Sequence, residues 1–179
     1  RINSDLANDL GNLLNRTLAM IEKYCDGQIP EQQVTTEYDQ DLEAVAQEAL
    51  AAVEENMDQL QFSTALEELW KFVRRTNKYI DQTEPWVLAK DAEKRDKLGA
   101  VLYTLLDSLR RITITLRPFL PEAPQKMWDQ MGIKEDLEEQ SWEDAKAKDQ
   151  LTAGIEINKG APIFPRRDIE EYYDSLDES

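Results

Sequence analysis

Two polar side chains that can each form paired hydrogen bonds lie one helical turn apart near the start of the chain. Asn12 and Arg16 fall between leucines spaced by three and four residues, so a helix places both on its polar face. Asparagine and arginine make paired hydrogen bonds to the edges of nucleic-acid bases. The same pattern also allows Arg16 to pair with a nearby acid while Asn12 is merely exposed, so two interpretations stay open at this point.

An indole follows a proline where one helical pattern stops and the next begins. Pro85 lacks an amide donor and disfavours helix in the residue before it, which places Trp86 in a turn. An indole in such a turn either fills the end of the core or stands out as a platform for stacking. The other tryptophans, Trp70, Trp128 and Trp142, are predicted to be packing residues.

Basic residues flank Trp86, although the chain as a whole is strongly acidic. The chain has 179 residues with 21 Lys and Arg against 37 Asp and Glu, a formal net charge of −16. Such a charge opposes non-specific binding of polyanions, so a nucleic acid would have to bind at a locally basic surface. Candidates for phosphate contacts, with ordinary surface ion pairs as the alternative, are Arg74, Arg75, Lys78, Lys90 and Lys94.

Several kinds of catalytic site are excluded by composition. The chain contains no His and a lone cysteine, Cys25, so it holds no Ser-His-Asp triad, Cys-His pair or cysteine zinc cluster. It also lacks a Gly-rich phosphate loop and metal-ligand spacing. The sequence therefore predicts no catalytic residue, metal site or cofactor of its own.

Apolar residues with helical spacing predict the elements that position these side chains. We expect helices over residues 4–24 and 38–60, one starting at a Thr64–Glu67 capping box and ending at Thr83, one from about Ala92 to Pro118, and a short one ending at Gly132. These elements predict an all-α antiparallel helical bundle.

The last third of the chain lacks this strong helical pattern. Residues 134–150 are charged and poor in apolar anchors, and residues 154–165 are predicted to be extended and to pack across the bundle. The expected domains are a bundle over 1–165 and an acidic tail or linker over 166–179. No apolar run reaches membrane length and no secretory signal is present, so we expect a cytoplasmic protein that was cut from a longer chain.

Four sequence blocks occur in a familiar order: Asn3–Arg16, Asn77–Trp86, Leu116–Pro121 and Pro162–Arg166. Together they resemble the anticodon-binding domain of methionyl-tRNA synthetases over about residues 2 to 167. The first and last blocks are fairly specific to the methionine enzymes, whereas the middle two are shared with the class I synthetases for valine, isoleucine and leucine.

The resemblance implies a helical domain that reads the CAU anticodon of tRNA(Met). Matched to the family motif, Asn12 and Arg16 would bond to base edges and Trp86 would stack on the first anticodon base, with Pro85 shaping the loop. Stacking is tolerant of base identity, so Asn12 and Arg16 would supply the discrimination.

The resemblance also implies a longer parent, an ATP-dependent ligase that attaches methionine to tRNA. A chain without His and without the family's lysine-methionine-serine-lysine-serine run cannot hold the catalytic domain, so this piece alone should be inactive. ATP, and in some members zinc, would bind in that missing domain, and homodimerisation through a further C-terminal domain stays open. Two alternatives remain: an anticodon-binding domain for another amino acid, and an acidic helical module that binds a protein partner.

Overall fold

The computed structural model describes residues 6–164, and their side chains from residue 8 onward. One π-helical turn, Leu6–Gly11, leads into α1 (Asn12–Tyr24). The remaining helices are α2 (Asp39–Asp58), α3 (Phe62–Thr83), α4 (Pro85–Leu88), α5 (Arg95–Leu116), α6 (Ala123–Gln130) and α7 (Trp142–Lys146), with 3-10 turns at Ala92–Lys94 and Leu137–Glu139. The predicted all-α bundle is confirmed, and no helix of residues 6–164 is long and apolar enough to cross a membrane.

Helix α5 is the centre of the bundle. It contacts α1, α3, α4, α6 and α7, and its residues from Leu98 to Leu116 are buried on almost every side. The sequence predicted one apolar face, so burial of the polar positions is a correction. Thr113 and Thr115 satisfy their hydroxyls by donating to carbonyls of their own helix, at 2.6 and 2.8 Å. This internal bonding lets polar residues lie within the core.

Three arginines at the end of α5, here called the arginine clamp, hold the segment after α6. Arg110 donates to the carbonyls of Asp144 and Ala147, and Arg111 donates to those of Ala145 and Lys146. The third, Arg117, donates to the carbonyls of Leu137 and Gln140. The last carbonyls of a helix have no partner within it, so the clamp satisfies the end of α7.

Acidic partners complete the clamp inside the protein. Arg110 Nε lies 2.8 Å from Asp107 Oδ1, and Arg111 Nη1 lies 2.7 Å from Glu43 Oε2. The side chains of Arg110, Arg111 and Asp107 are at most 4% exposed. Residues 134–150 are therefore held through their main-chain carbonyls, which explains why their sequence offers few apolar side chains as anchors.

The capping box predicted at Thr64–Glu67 is wrong. Helix α3 begins at Phe62, and Ala65 N–H already bonds to the Gln61 carbonyl at 3.0 Å. Leu60, at a φ of 59°, turns the chain sharply out of α2, so Thr64 lies within the first turn of α3.

A capping box does form elsewhere, at Ser141 and Asp144. Ser141 Oγ accepts from Asp144 N–H, and Asp144 Oδ2 accepts from Ser141 N–H at 2.8 Å. The hydrogen bonds from Ser141 lower the pKa of the Asp144 carboxyl. The box starts α7, the helix whose far end the arginine clamp holds.

The extended segment crosses the bundle as predicted, as far as residue 164. Ile29 N–H donates to the Ile155 carbonyl and Ile157 N–H to the Gly27 carbonyl, both at 2.8 Å. Gly132, at a φ of 74°, is required here because a Cβ would lie 2.1 Å from the Glu156 carbonyl oxygen. Pro165 and the predicted tail 166–179 lie outside the described residues.

Candidate nucleic-acid interface

A shallow groove of about 350 Å³ lies between the start of α1 and the second half of α3. We call it the polar groove. It is lined by Asn8, Asp9, Asn12, Arg16, Arg74, Asn77, Lys78 and Asp81. Each of these side chains is polar, and three cations face two acids in a chain whose overall charge is −16. The groove is therefore a local departure from the acidic character of the chain.

Helical spacing turns these side chains to one surface. Asn12 and Arg16 are exposed on α1, while the leucines between them, Leu13 and Leu14, are fully buried. The α3 wall repeats at Arg74, Lys78 and Asp81, positions that share one face of a helix. The predicted proximity of Asn12 and Arg16 is confirmed. Among the described residues, no side chain hydrogen-bonds to the Asn12 amide, which leaves its donor and acceptor open to a ligand.

Arg16 is held only weakly. Its Nη2 lies 3.8 Å from Asp81 Oδ1, and the two side chains are 44% and 72% exposed. Its guanidinium carbon lies 6.0 Å from the centroid of the Trp86 ring. An exposed ion pair of this length contributes little free energy, so the guanidinium can turn to a ligand at small cost.

Trp86 is partly exposed and lies beside Arg16, one of the residues that line the groove. Glu84 adopts a left-handed conformation, with a φ of 46°, which ends α3 and allows Pro85 to open α4. Pro85 is buried, whereas Trp86 is 38% exposed. Trp86 is thus not one of the buried core residues, and the Arg16 guanidinium lies over its ring.

The other tryptophans are packing residues, as predicted. Trp70 and Trp128 are at most 4% exposed, and their indole N–H groups donate to Asp9 and to the Glu135 carbonyl. Trp142 is partly buried against the core. Trp70 and Trp128 therefore differ from Trp86 in two respects: they are buried, and their indole N–H groups have acceptors.

The structure brings two of the five candidate phosphate contacts to the groove. Arg74, whose side chain is 61% exposed, and Lys78 line it. Arg75 is half-buried and lies outside the lining. Lys90 and Lys94 are exposed beyond the end of α4 and do not line the groove either. Closeness to Trp86 in the sequence therefore did not predict which of the five basic residues line the groove.

Sequence reasoning did not identify Asp9, Asn77 or Asp81 as parts of this surface. Asp9 Oδ2 accepts the Trp70 indole N–H at 3.0 Å, and the Asp9 carbonyl accepts from Asn77 Nδ2 at 3.1 Å. Asn77 and Asp81 were detectable, since they lie three and seven residues after Arg74 on the same helix face. Asp9 had no such signal, because the π-helical turn changes the spacing before α1.

Within residues 6–164, no group of three or more His, Cys, Asp or Glu side chains could hold a metal ion. Two other cavities, of about 240 and 400 Å³, are lined in part by residues 134–150, and neither has Trp86 or Arg16 among its lining residues. Of the sequence-predicted site residues, the polar groove therefore contains Asn12, Arg16, Arg74 and Lys78, and Trp86 lies beside Arg16.

Comparison with known proteins matches this chain to one family. A model described as "Anticodon-binding domain of tRNA ligase" matches residues 39–172, which include Trp86 and the α3 wall of the groove. The methionine–tRNA ligase of Caldanaerobacter subterraneus subsp. tengcongensis is 55% identical over 177 residues, covering 99% of this chain and 27% of the relative. The Bacillus subtilis methionine–tRNA ligase is 51% identical over 172 residues, covering 96% and 26%.

Solved structures show the same similarity. Methionyl-tRNA synthetase of Mycobacterium tuberculosis in its free state is 32% identical with a TM-score of 0.82, covering 93% of this chain and 33% of that chain. The same enzyme bound by methionyl-adenylate gives 31% and 0.82, covering 92% and 32%. The chain spans about a quarter of the length of the curated relatives it matches. The resemblance seen in the sequence is confirmed, and the chain belongs to the family of anticodon-binding domains of tRNA ligases.

Proposed function

We propose that this chain reads the CAU anticodon of tRNA(Met) for a methionine–tRNA ligase. The observation that carries the proposal is the exposed Trp86 ring beside Arg16, with Asn12 one turn away on the same face. This surface combines a stacking face with donors and acceptors for base edges. Such a combination suits the unstacked bases of an RNA loop.

In the proposed mechanism, Trp86 and the α1 side chains have separate tasks. The first anticodon base stacks on Trp86, which is worth about 1–3 kcal/mol for any base. Asn12 and Arg16 bond to base edges, and one paired contact discriminates by about 1–3 kcal/mol. Pro85, buried at the first position of α4, fixes the backbone that presents the indole.

Arg74 and Lys78 are the proposed phosphate contacts. Both side chains line the groove on the α3 side, opposite Asn12 and Arg16. A backbone that follows the groove would meet these cations while its bases point toward Trp86. Lys90 and Lys94 are not included, because they lie outside the groove.

The ATP-dependent joining of methionine to tRNA is proposed for the part of the ligase outside this chain. The chain lacks the residues of that chemistry, and the relatives it matches are about four times as long. A bacterial methionine–tRNA ligase acts on cytoplasmic tRNA, so we place the protein in the cytoplasm. The proposed partners are therefore the tRNA(Met) anticodon loop and the catalytic domain of the same ligase.

The test is binding of a CAU anticodon stem-loop, compared with loops altered at the first base, at low and moderate salt. We expect Trp86→Ala to weaken binding of every loop by about tenfold or more. Arg16→Ala should reduce the preference for CAU. Phe62→Ala, which removes an exposed aromatic ring at the distant α2–α3 turn, is the matched control and should change neither quantity. Equal binding of all loops by the unmodified chain, erased by salt, would contradict the proposal.

A further inference from the structure

Asp9 links the two walls of the polar groove through both its side chain and its main chain. Its carboxylate accepts the indole N–H of Trp70 at 3.0 Å and lies 3.9 Å from Arg74 Nε. Its carbonyl accepts from Asn77 Nδ2 at 3.1 Å. All three partners belong to α3, whereas Asp9 belongs to the π-helical turn before α1. One residue therefore joins the segment that carries Asn12 to the opposite wall.

The bond to Trp70 is the strongest of these links. Trp70 is 4% exposed, so its indole N–H has lost water and needs an acceptor within the protein. Asp9 supplies a charged acceptor from a side chain that is itself 34% exposed. Hydrogen bonds to ionised groups are shorter and stronger than neutral ones. This bond fixes the π-helical turn against α3.

The position of Asp9 relates this bond to the base-reading residues. Asp9 lies three residues before Asn12, and both side chains line the same groove. A shift of the π-helical turn along or around its axis moves Asn12, and then Arg16, relative to Trp86. Recognition of base edges requires placement within a fraction of an ångström, so such a shift reduces discrimination before it reduces folding.

We propose that Asp9 is a positioning residue for base discrimination, acting through its hydrogen bonds to Trp70 and Asn77 without touching the base itself. The inference rests on the proposed function. It predicts that choosing a base requires an acceptor at position 9, for which a neutral acceptor suffices, while the negative charge of Asp9 lowers the general attraction of RNA. The charge effect depends on the adjacent Arg74. The Asp9 carboxylate partly balances the positive charge of Arg74 and so weakens the attraction of that arginine for RNA.

The test measures the ratio of affinities for the CAU stem-loop and a loop with an altered first base, using the whole chain. Asp9→Ala should lower this ratio by about fivefold or more, the lower end of what one paired contact supplies. Trp70→Phe keeps the ring and removes the N–H donor, so it should lower the ratio in the same direction. Asp9→Asn keeps an acceptor and should retain the ratio, while it raises the affinity for both loops at low salt.

Thermal unfolding of each variant gives its folded fraction, which separates positioning from loss of structure. Partial unfolding lowers the affinity for both loops alike and leaves their ratio unchanged. The inference is overturned if folded Asp9→Ala and Trp70→Phe keep the original ratio, or if Asp9→Asn loses it. If the unmodified chain shows no preference for CAU, the proposed function fails first, so the two failures are distinguishable.

Discussion

The arginine clamp and the polar groove use the same kind of side chain for opposite purposes. In the clamp, Arg111 is 3% exposed and bonds to Glu43 and to two main-chain carbonyls. In the groove, Arg16 is 44% exposed, and its nearest acid, Asp81, lies 3.8 Å away. A guanidinium whose three nitrogens all have acceptors holds the fold together. One whose donors are nearly free is available to a ligand.

Burial explains the difference between the two regions. Removing a guanidinium from water is costly, so a buried arginine requires partners for its charge and its N–H groups. At the surface water is the partner, and a nearby acid adds little. The groove can therefore exchange water for bases and phosphates, whereas the clamp cannot release its carbonyls without unfolding the segment it holds.

The largest expected effect comes from breaking the clamp. Arg111→Ala leaves the Glu43 carboxylate without its ion-pair partner and the Ala145 carbonyl without its donor, while the Lys146 carbonyl keeps the hydrogen bond from Gln47 Nε2 at 3.1 Å. We expect a loss of about 3–5 kcal/mol in the free energy of unfolding, measured with urea. Arg16→Ala is the matched substitution in the groove and should cost no more than about 0.5 kcal/mol. Equal losses would contradict the distinction between the two regions.

A conservative substitution in the groove tests whether Arg16 acts through its hydrogen-bond donors or only through its charge. Arg16→Lys keeps the charge but removes the planar set of donors that can bond to a base edge in pairs. We expect the preference for CAU to fall by about 1–3 kcal/mol while the salt dependence of binding stays the same. Titration of matched and altered stem-loops at two salt concentrations measures both quantities. An unchanged preference would show that Arg16 acts only as a charge.

The capping box of α7 should give a smaller, pH-dependent effect on stability. The Asp144 carboxylate accepts hydrogen bonds from Ser141 N–H and from Ser141 Oγ, and both lower the pKa of Asp144, so their contribution is fully present above the unfolded pKa, at about pH 4. It is lost as the pH falls through the lowered folded pKa. Ser141→Ala removes the hydrogen bonds of Ser141 Oγ and should cost about 1 kcal/mol at pH 7, and the difference from the unmodified chain should shrink once the pH falls below the lowered folded pKa. Urea unfolding at several pH values tests this, and a constant difference would contradict it.

The smallest effect separates the lysines inside and outside the groove. Lys78→Gln should weaken binding of all stem-loops alike and reduce the slope of log affinity against log salt by about one. Lys94→Gln is the matched control, since Lys94 is exposed outside the groove and should leave the slope unchanged. Equal slopes for the two variants would remove Lys78 from the phosphate path.

The sequence was sufficient to predict the helices, because leucines recur at the spacing of a buried helix face. It was also sufficient to place Asn12 beside Arg16, a relation within one helix. It was insufficient wherever an interaction depends on main-chain atoms or on distant segments. The carbonyls held by Arg110, and the exposure of Trp86, have no signature in local spacing. The capping box was predicted at Thr64 and found at Ser141, since the tight turn at Leu60 started α3 earlier than its sequence indicated.

The arginine clamp also constrains the order in which the chain can acquire its structure. Arg110 lies 34 and 37 residues before the carbonyls of Asp144 and Ala147 that receive its hydrogen bonds. During synthesis from the N-terminus, α5 therefore emerges well before the groups that make its burial favourable. Until then, burial of α5 would leave Arg110 and Arg111 without their carbonyl partners. We expect a released chain truncated before residue 142 to be open and sensitive to protease, and one truncated after residue 150 to close around its central helix.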